Sequence, residues 1–399
     1  MSTPTIKHDL QIKYGSEYGV EEERAIIEVL RAGAPTSGEA CLQFEQDFAR
    51  YCGATHARAV SNGTAALFLA LIAIGIKRGD RVLTTPVTWI ATAAAGATLG
   101  ADVDFVDIDP VTYTLDPKQL ETRLTPNTRA ILPVHLYGQC CDMNAILAIA
   151  DKHGIPVVED ACHAVGAEHH GRKAGSMGFA GCFSFHEQKN MSTLGEGGMV
   201  ITSSAGAFEK IALYRSHCTR VYGRSTKYCS LDEGKFPMGK RFWFQDFDDC
   251  GYNFRLTDIQ AATGLVQLKR LDALNRRRID NAAHLTAGLR EVPGLVLPTI
   301  APGNTHVFHL YPVQIDPVEF GMTKDDFVFA MLHERGIKVG THYTPLHLST
   351  AFQKRGFRKG QFPIAEQVME RLVTLPINPR QTREALDYLI ESIRALQKG

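Results

Sequence analysis

VVEDACHAVGAEHHGRKAGSMGFAGCFSFHEQKNMSTLGEGGMV, residues 157–200, decides how this chain is read. One apolar run ends on an acid, Asp160, and a second leads to a lysine, Lys189. A lysine amine condenses with an aldehyde and later moves protons. A carboxylate keeps a pyridinium ring protonated, so that the ring accepts electrons. The pair therefore reads as a pyridoxal phosphate site, with Asp160 on the ring nitrogen and Lys189 forming the Schiff base. An acid just past an apolar strand lies at the C-terminal edge of a parallel sheet, where sites gather. The same acid also reads as a helix N-cap, and a lysine after a strand also reads as a solvated charge. His163 could stack on a ring or hydrogen-bond to it, or be structural. The run GCFSFHEQKN reads as a strand reaching Lys189 with Ser184 inside it, and Gly195, Gly197 and Gly198 allow tight backbone paths after it.

Outward from this stretch the chain alternates strands and helices. Residues 20–32 and 39–52 read as amphipathic helices. Ala57 to Ser61 reads as a strand, Asn62-Gly63 as a turn, and Ala65 onward as an apolar helix. A strand, a glycine turn and a helix N-terminus make an anion site, to which Thr64 adds a hydroxyl. The alternative is an ordinary connection with a Thr cap. Arg81 to Thr84 and Val103 to Val106 read as strands flanking a small-residue helix at 90–99. Trp89 opens that helix, where it could stack on a cofactor ring or fill a core or interface. The repeated alternation predicts a mostly parallel sheet covered on both faces.

Residues 217–252 are rich in Arg, Lys and aromatic residues with little periodicity, and read as a long loop. A long helix follows, with Asn253 at its lead-in. From about residue 290 the pattern becomes that of a smaller α/β unit. We expect residues 1–265 to form a large domain, with the N-terminal helix free to pack on the small one, and residues 266–399 to form the long connecting helix and the small domain.

Composition narrows the class. The 399 residues suffice for two or three domains. Lys plus Arg equals Asp plus Glu, 43 each, a balance that argues against a nucleic-acid or membrane-surface binder. The first residues hold no apolar core of a signal peptide, and no run has membrane-spanning length. Nine cysteines without C-x-x-C pairs point to reduced thiols and a cytoplasmic location. No His or Cys spacing suggests a metal site.

In chain order, SNGTAAL, PVTWIATA, PVHLYGQ, VVEDACHAVGA, FSFHEQKN with GEGG, GYNFRLTDIQAA and HYTPLHL resemble the DegT/DnrJ/EryC1/StrS aminotransferases, of fold type I, over nearly the whole chain. The resemblance implies a pyridoxal phosphate enzyme with pyridoxamine phosphate as its amino-carrying form. Lys189 would be the Schiff-base lysine and Asp160 the partner of the pyridine nitrogen. Trp89 and His163 would flank the ring, and Gly63, Thr64 and Ser184 would hold the phosphate. Asn253 would reach the phosphate of a partner subunit's cofactor, in a homodimer with shared sites. His347 would touch substrate. The implied reaction moves an amino group, with glutamate as donor, to a keto sugar on a nucleotide diphosphate. An amino-cyclitol enzyme acting on a keto-inositol is the alternative. A dehydratase of the family would have His in place of Lys189, and a non-catalytic sensor would not need Lys189, Asp160 and Ser184. The family often has Pro where Glu187 stands.

Overall fold

The computed structural model describes residues 4–11, 15–33, 36, 38–221 and 245–397. The larger sheet is built from strands β1 (His56–Val60), β2 (Arg81–Thr84), β3 (Asp102–Phe105), β4 (Thr128–Leu132), β5 (Val158–Asp160), β6 (Ala180–Ser184) and β7 (Gly198–Thr202). Two hydrogen-bonded groups, β3-β2-β4 and β5-β6-β7-β1, meet through parallel bridges at Ile131–Val157 and Val134–Asp160. Their pairings are parallel except that β7 runs antiparallel to both β6 and β1. The expected mostly parallel sheet is therefore present, and its one reversed strand has a simple cause. A parallel return needs a long crossover, usually a helix. The link from β6 to β7 holds no helix, so the chain turns straight back. That link carries Lys189.

The strands at the centre are buried along their whole length, as helices on both faces require. Four helices matter to the site: α1 (Val20–Ala32), α2 (Glu39–Cys52), α3 (Gly63–Ile74) and α4 (Ala91–Thr98). Helix α3 is apolar almost all round and is buried accordingly, from Ala65 to Ile72. It starts earlier than its apolar run suggests. The Asn62 side chain accepts from the Ala65 N–H at 2.8 Å, so Asn62 is the cap, and Gly63 and Thr64 form the first turn. Strand β6 also differs from expectation, because it ends at Ser184 and leaves Lys189 in the turn beyond it.

The long helix Asp258–Leu289 starts from a capping box at Thr257, with Ala261 and Leu271 in one hydrophobic core and Ala282, Leu285 and Leu289 in another. Helix α1 lies along it, with Glu22 and Arg270 at 2.9 Å. Leu295–Val296, Tyr311–Ile315 and Leu372–Leu375 pair in a smaller antiparallel sheet. Helices Lys324–His333 and Arg383–Leu396 cover that sheet, with Val313, Phe327 and Leu389 in the core. Leu10 is buried in the same core, held by a bond from the Lys338 N–H to its carbonyl at 2.9 Å. The ends of the expected loop 217–252 are paired. Thr219–Val221 and Gln245–Phe247 form an antiparallel ladder, and residues 222–244 lie outside the described residues. Among the described residues no helix is long and apolar enough to cross a membrane, and no cluster of His, Cys, Asp or Glu could hold a metal ion.

Candidate active site

A cavity of about 520 Å³ opens at the C-terminal ends of β1, β2, β5 and β6. It is lined by Gly63, Thr64, Trp89, Asp160, His163, Ser184 and Lys189, so seven of the residues singled out from sequence share one chamber. They arrive on four sheet connections, those that follow β1, β2, β5 and β6, which is why the sheet edge collects them.

Asp160 is 5% exposed at the end of β5. Its Oδ1 accepts from the Cys162 N–H at 3.1 Å, and its Oδ2 from the Thr92 hydroxyl at 2.7 Å. The second bond ties it to the first turn of α4, just past Trp89. The carboxylate is thus fixed in direction from two sides.

Lys189 is half-buried, and among the described residues its amine forms no hydrogen bond or ion pair. Burial pushes its pKa down, against the pull of Cys162, Asp160 and Glu196. A larger share of neutral amine is what a nucleophile requires. The turn that presents it is closely held. The Lys189 N–H donates to His186 O at 2.8 Å, and Thr193 N–H donates to Phe185 O at 3.1 Å. Gly15 presses on the turn's back. A Cβ there would lie 2.1 Å from Lys189 O, so only glycine fits.

The opposite wall is His163. Burial holds its imidazole well below the usual range, and the nearby Lys189 and His342 push the same way. It is therefore a neutral ring, with the Tyr343 hydroxyl 3.3 Å from its Nε2. Trp89 stands at the mouth, 62% exposed, with its ring 6.0 Å from that of Tyr343.

The phosphate end is a cradle. Asn62 occupies the amide of Ala65 and its carbonyl takes that of Ala66, which leaves the Gly63 and Thr64 amides without intrahelical partners. Ser184 closes on them. A Cβ on Gly63 would meet Ser184 Cβ at 2.8 Å and Cys162 Sγ at 3.0 Å, so glycine keeps this space open. Free amides at a helix N-terminus beside hydroxyls suit a phosphate. A pyridoxal phosphate fits the chemistry of this chamber, which brings together an anion cradle, a buried carboxylate and an amine whose pKa burial lowers.

Two of the residues named from sequence lie elsewhere. His347 is fully buried, and its Nε2 is 2.8 Å from Glu366; it does not line the cavity. The residues of its stretch that do are His342 and Tyr343. Asn253 is exposed and pairs with Ser216 across a β-bridge, outside the cavity of its own chain. Sequence reasoning passed over Asn62, Thr92, Cys162, Glu196, His342 and Tyr343. Thr92 was findable, since it stands one helical turn after Trp89 and so faces the same way.

The sheet order and this cavity define a fold type I, pyridoxal phosphate-dependent aminotransferase. The chain belongs to the DegT/DnrJ/EryC1/StrS aminotransferase family, whose pattern it matches over residues 17–394. It is 39% identical over 382 residues to the spore coat polysaccharide biosynthesis protein SpsC of Bacillus subtilis, covering 96% of this chain and 95% of that one. Its fold matches S. venezuelae DesV, solved in complex with a ketimine intermediate, with a TM-score of 0.84, 35% identity and 95% of each chain covered. It also matches the PLP form of Spr1654 from Streptococcus pneumoniae, with a TM-score of 0.85, 25% identity and 96% and 97% of the two chains covered.

Proposed function

We propose that this aminotransferase acts in the cytoplasm as a homodimer, moving an amino group from glutamate to a keto sugar carried on a nucleotide diphosphate. The observation that carries the acceptor is the cavity's lining. Past the cofactor positions it offers hydroxyls, amides and imidazoles from Thr88, His186, Gln188, His342 and Tyr343, and among the described residues no arginine. Such groups recognise sugar hydroxyls, and the Trp89–Tyr343 pair offers apolar faces to a sugar ring. The polysaccharide pathway named for SpsC agrees with this reading.

When bound, the cofactor supplies an aldehyde and an electron-accepting ring. Gly63, Thr64 and Ser184 bind its phosphate, and Asp160 holds the proton on its ring nitrogen. Neutral His163 covers one face without adding a competing charge and helps to exclude water. Lys189 Nζ takes the proton from the donor's Cα and returns one to the acceptor carbon. Burial lowers its pKa, which raises the share of neutral amine able to take a proton.

Asn253 is read as serving the cavity of a second subunit, because in its own chain it is exposed and away from the cavity. A partner would also cover the exposed Trp89 and Ile90.

Incubation with glutamate or glutamine and a panel of nucleotide-linked keto sugars and keto-inositols, read by product mass, tests the reading. A nucleotide-linked amino sugar is the expected product. Amination of keto-inositols alone would replace this reading with a cyclitol enzyme.

A further inference from the structure

Asn275 lies on the long helix, 4% exposed and outside the cavity lining, yet it touches both of the cavity's walls at one remove. Its Oδ1 accepts from Asn190 Nδ2 at 2.9 Å, and Asn190 directly follows Lys189. Its own Nδ2 donates to Val165 O at 2.9 Å, in the turn that carries His163. Asn190 is 2% exposed and also donates to Val307 O at 3.0 Å. That segment leads to His309, whose ring sits 4.3 Å from His163.

The backbone makes room for this arrangement. Gly166 has φ +88°, and a Cβ there would lie 2.6 Å from Asn275 Nδ2. One turn along the helix, the buried Arg278 donates to Phe308 O at 3.0 Å and Ile377 O at 3.1 Å. Its guanidinium also donates to the carbonyl of Gly15, the residue wedged behind the lysine turn. A primary amide can accept on one end and donate on the other. Asn275 uses both ends, one toward each wall.

We propose that Asn275, acting through Asn190, is a positioning residue for Lys189 that fixes the lysine turn against the His163 wall. On the function proposed above, a cofactor ring would be held against His163 while Lys189 reached its aldehyde, so the separation of these two turns would set the reacting geometry. Side chains that merely pack would stabilise each turn separately. Asn275 instead ties one turn to the other through an acceptor and a donor on one side chain, which Leu and Ala both lack.

The test uses the holoenzymes of Asn275→Ala, Asn190→Ala and the double variant. Misplacement of a reacting group by about 1 Å costs about 100-fold. Each single variant is expected to lose kcat by about that factor with the donor's KM little changed. Each should also move the midpoint pH of the holoenzyme's visible cofactor band, which a purely structural role would leave in place. The double variant should be no worse than the poorer single one, because both cut the same connection. If Asn275→Ala does not accumulate as folded protein, Asn190→Ala still severs the lysine end, together with the bond to Val307, and leaves the bond from Asn275 to Val165. A lowered melting temperature with kcat and the band's midpoint unchanged would overturn the proposal, as would losses that multiply in the double variant.

Discussion

Replacing Asp160 by Asn removes a charge and little else. The two groups that hold the carboxylate can hold an amide equally well. An Asn Oδ1 still accepts from the Cys162 N–H, now at 3.1 Å from the carboxylate oxygen. Its Nδ2 would face the Thr92 hydroxyl, which sits 2.7 Å from Asp160 Oδ2. That hydroxyl can accept from the amide by turning its own proton to Thr88 Oγ1 at 2.9 Å or Trp89 O at 3.2 Å. Thr92 takes one amide N–H and the other is free to face the cavity that this residue lines, so we expect the variant to fold with a stability change within about 1 kcal/mol. The catalytic loss is different in kind. An amide cannot stabilise a positive ring nitrogen as a carboxylate does, and removing one preorganised electrostatic group costs about 100- to 1000-fold, or about 3–4 kcal/mol of barrier. Stopped-flow measurement of the reaction with the donor, together with cofactor content and melting temperature, separates the two effects. The expected result is a folded, cofactor-loaded protein that is slow by at least about 100-fold. Near-normal turnover would show that Asp160 acts only as a cap for its turn.

Other expectations follow from single contacts. Gly63→Ala places a methyl 2.8 Å from Ser184 Cβ, so the phosphate cradle must open; cofactor should leave faster on dialysis, and unchanged retention would remove Gly63 from the cradle. Lys189→Ala and Asn253→Asp, each inactive alone, should restore up to about half the activity per mixed dimer after subunit exchange, because two-fold symmetry puts both defects in one site. If Asn253→Asp is inactive and exchange is confirmed, yet no activity returns, Asn253 serves its own subunit. Burial pushes the Glu366 carboxyl up, but hydrogen bonds from His347 and the Gly360 N–H outweigh it and hold its pKa below the usual value. Its contribution to stability is therefore full above the unfolded value of about 4.3 and is lost as pH falls through the lower folded value. Denaturation across that acid range should show a smaller pH-driven loss in Glu366→Gln than in wild type, and equal losses would contradict the assignment.

Much of the fold is legible because the large sheet alternates strand and helix with clear periods. The site residues are legible where the chain punctuates that pattern: Asp160 at a strand end, Gly63 and Thr64 before an apolar helix, Lys189 before a glycine turn. What escaped has physical causes. Asn62 and Thr64 are both capable caps two residues apart, and only the backbone path selects Asn62. The alternation in FSFHE continues past the end of β6, so nothing local marks Ser184 as its last residue. His342 and His347 share one stretch that lacks a regular strand. Period therefore cannot say which faces the cavity, and contacts from far along the chain decide it. Thr374 takes His342 Nδ1 at 2.6 Å, and Glu366 takes His347. The Asn190–Asn275 bond spans 85 positions, beyond the reach of any local pattern.

The central claim is that Lys189 is the residue that binds the cofactor covalently. Reducing the holoenzyme with borohydride, digesting it and sequencing the labelled peptide by mass spectrometry tests this most directly. The account predicts a pyridoxyl group on Lys189, and no label after reduction of Lys189→Ala. A label on any other lysine of the wild-type chain would contradict it.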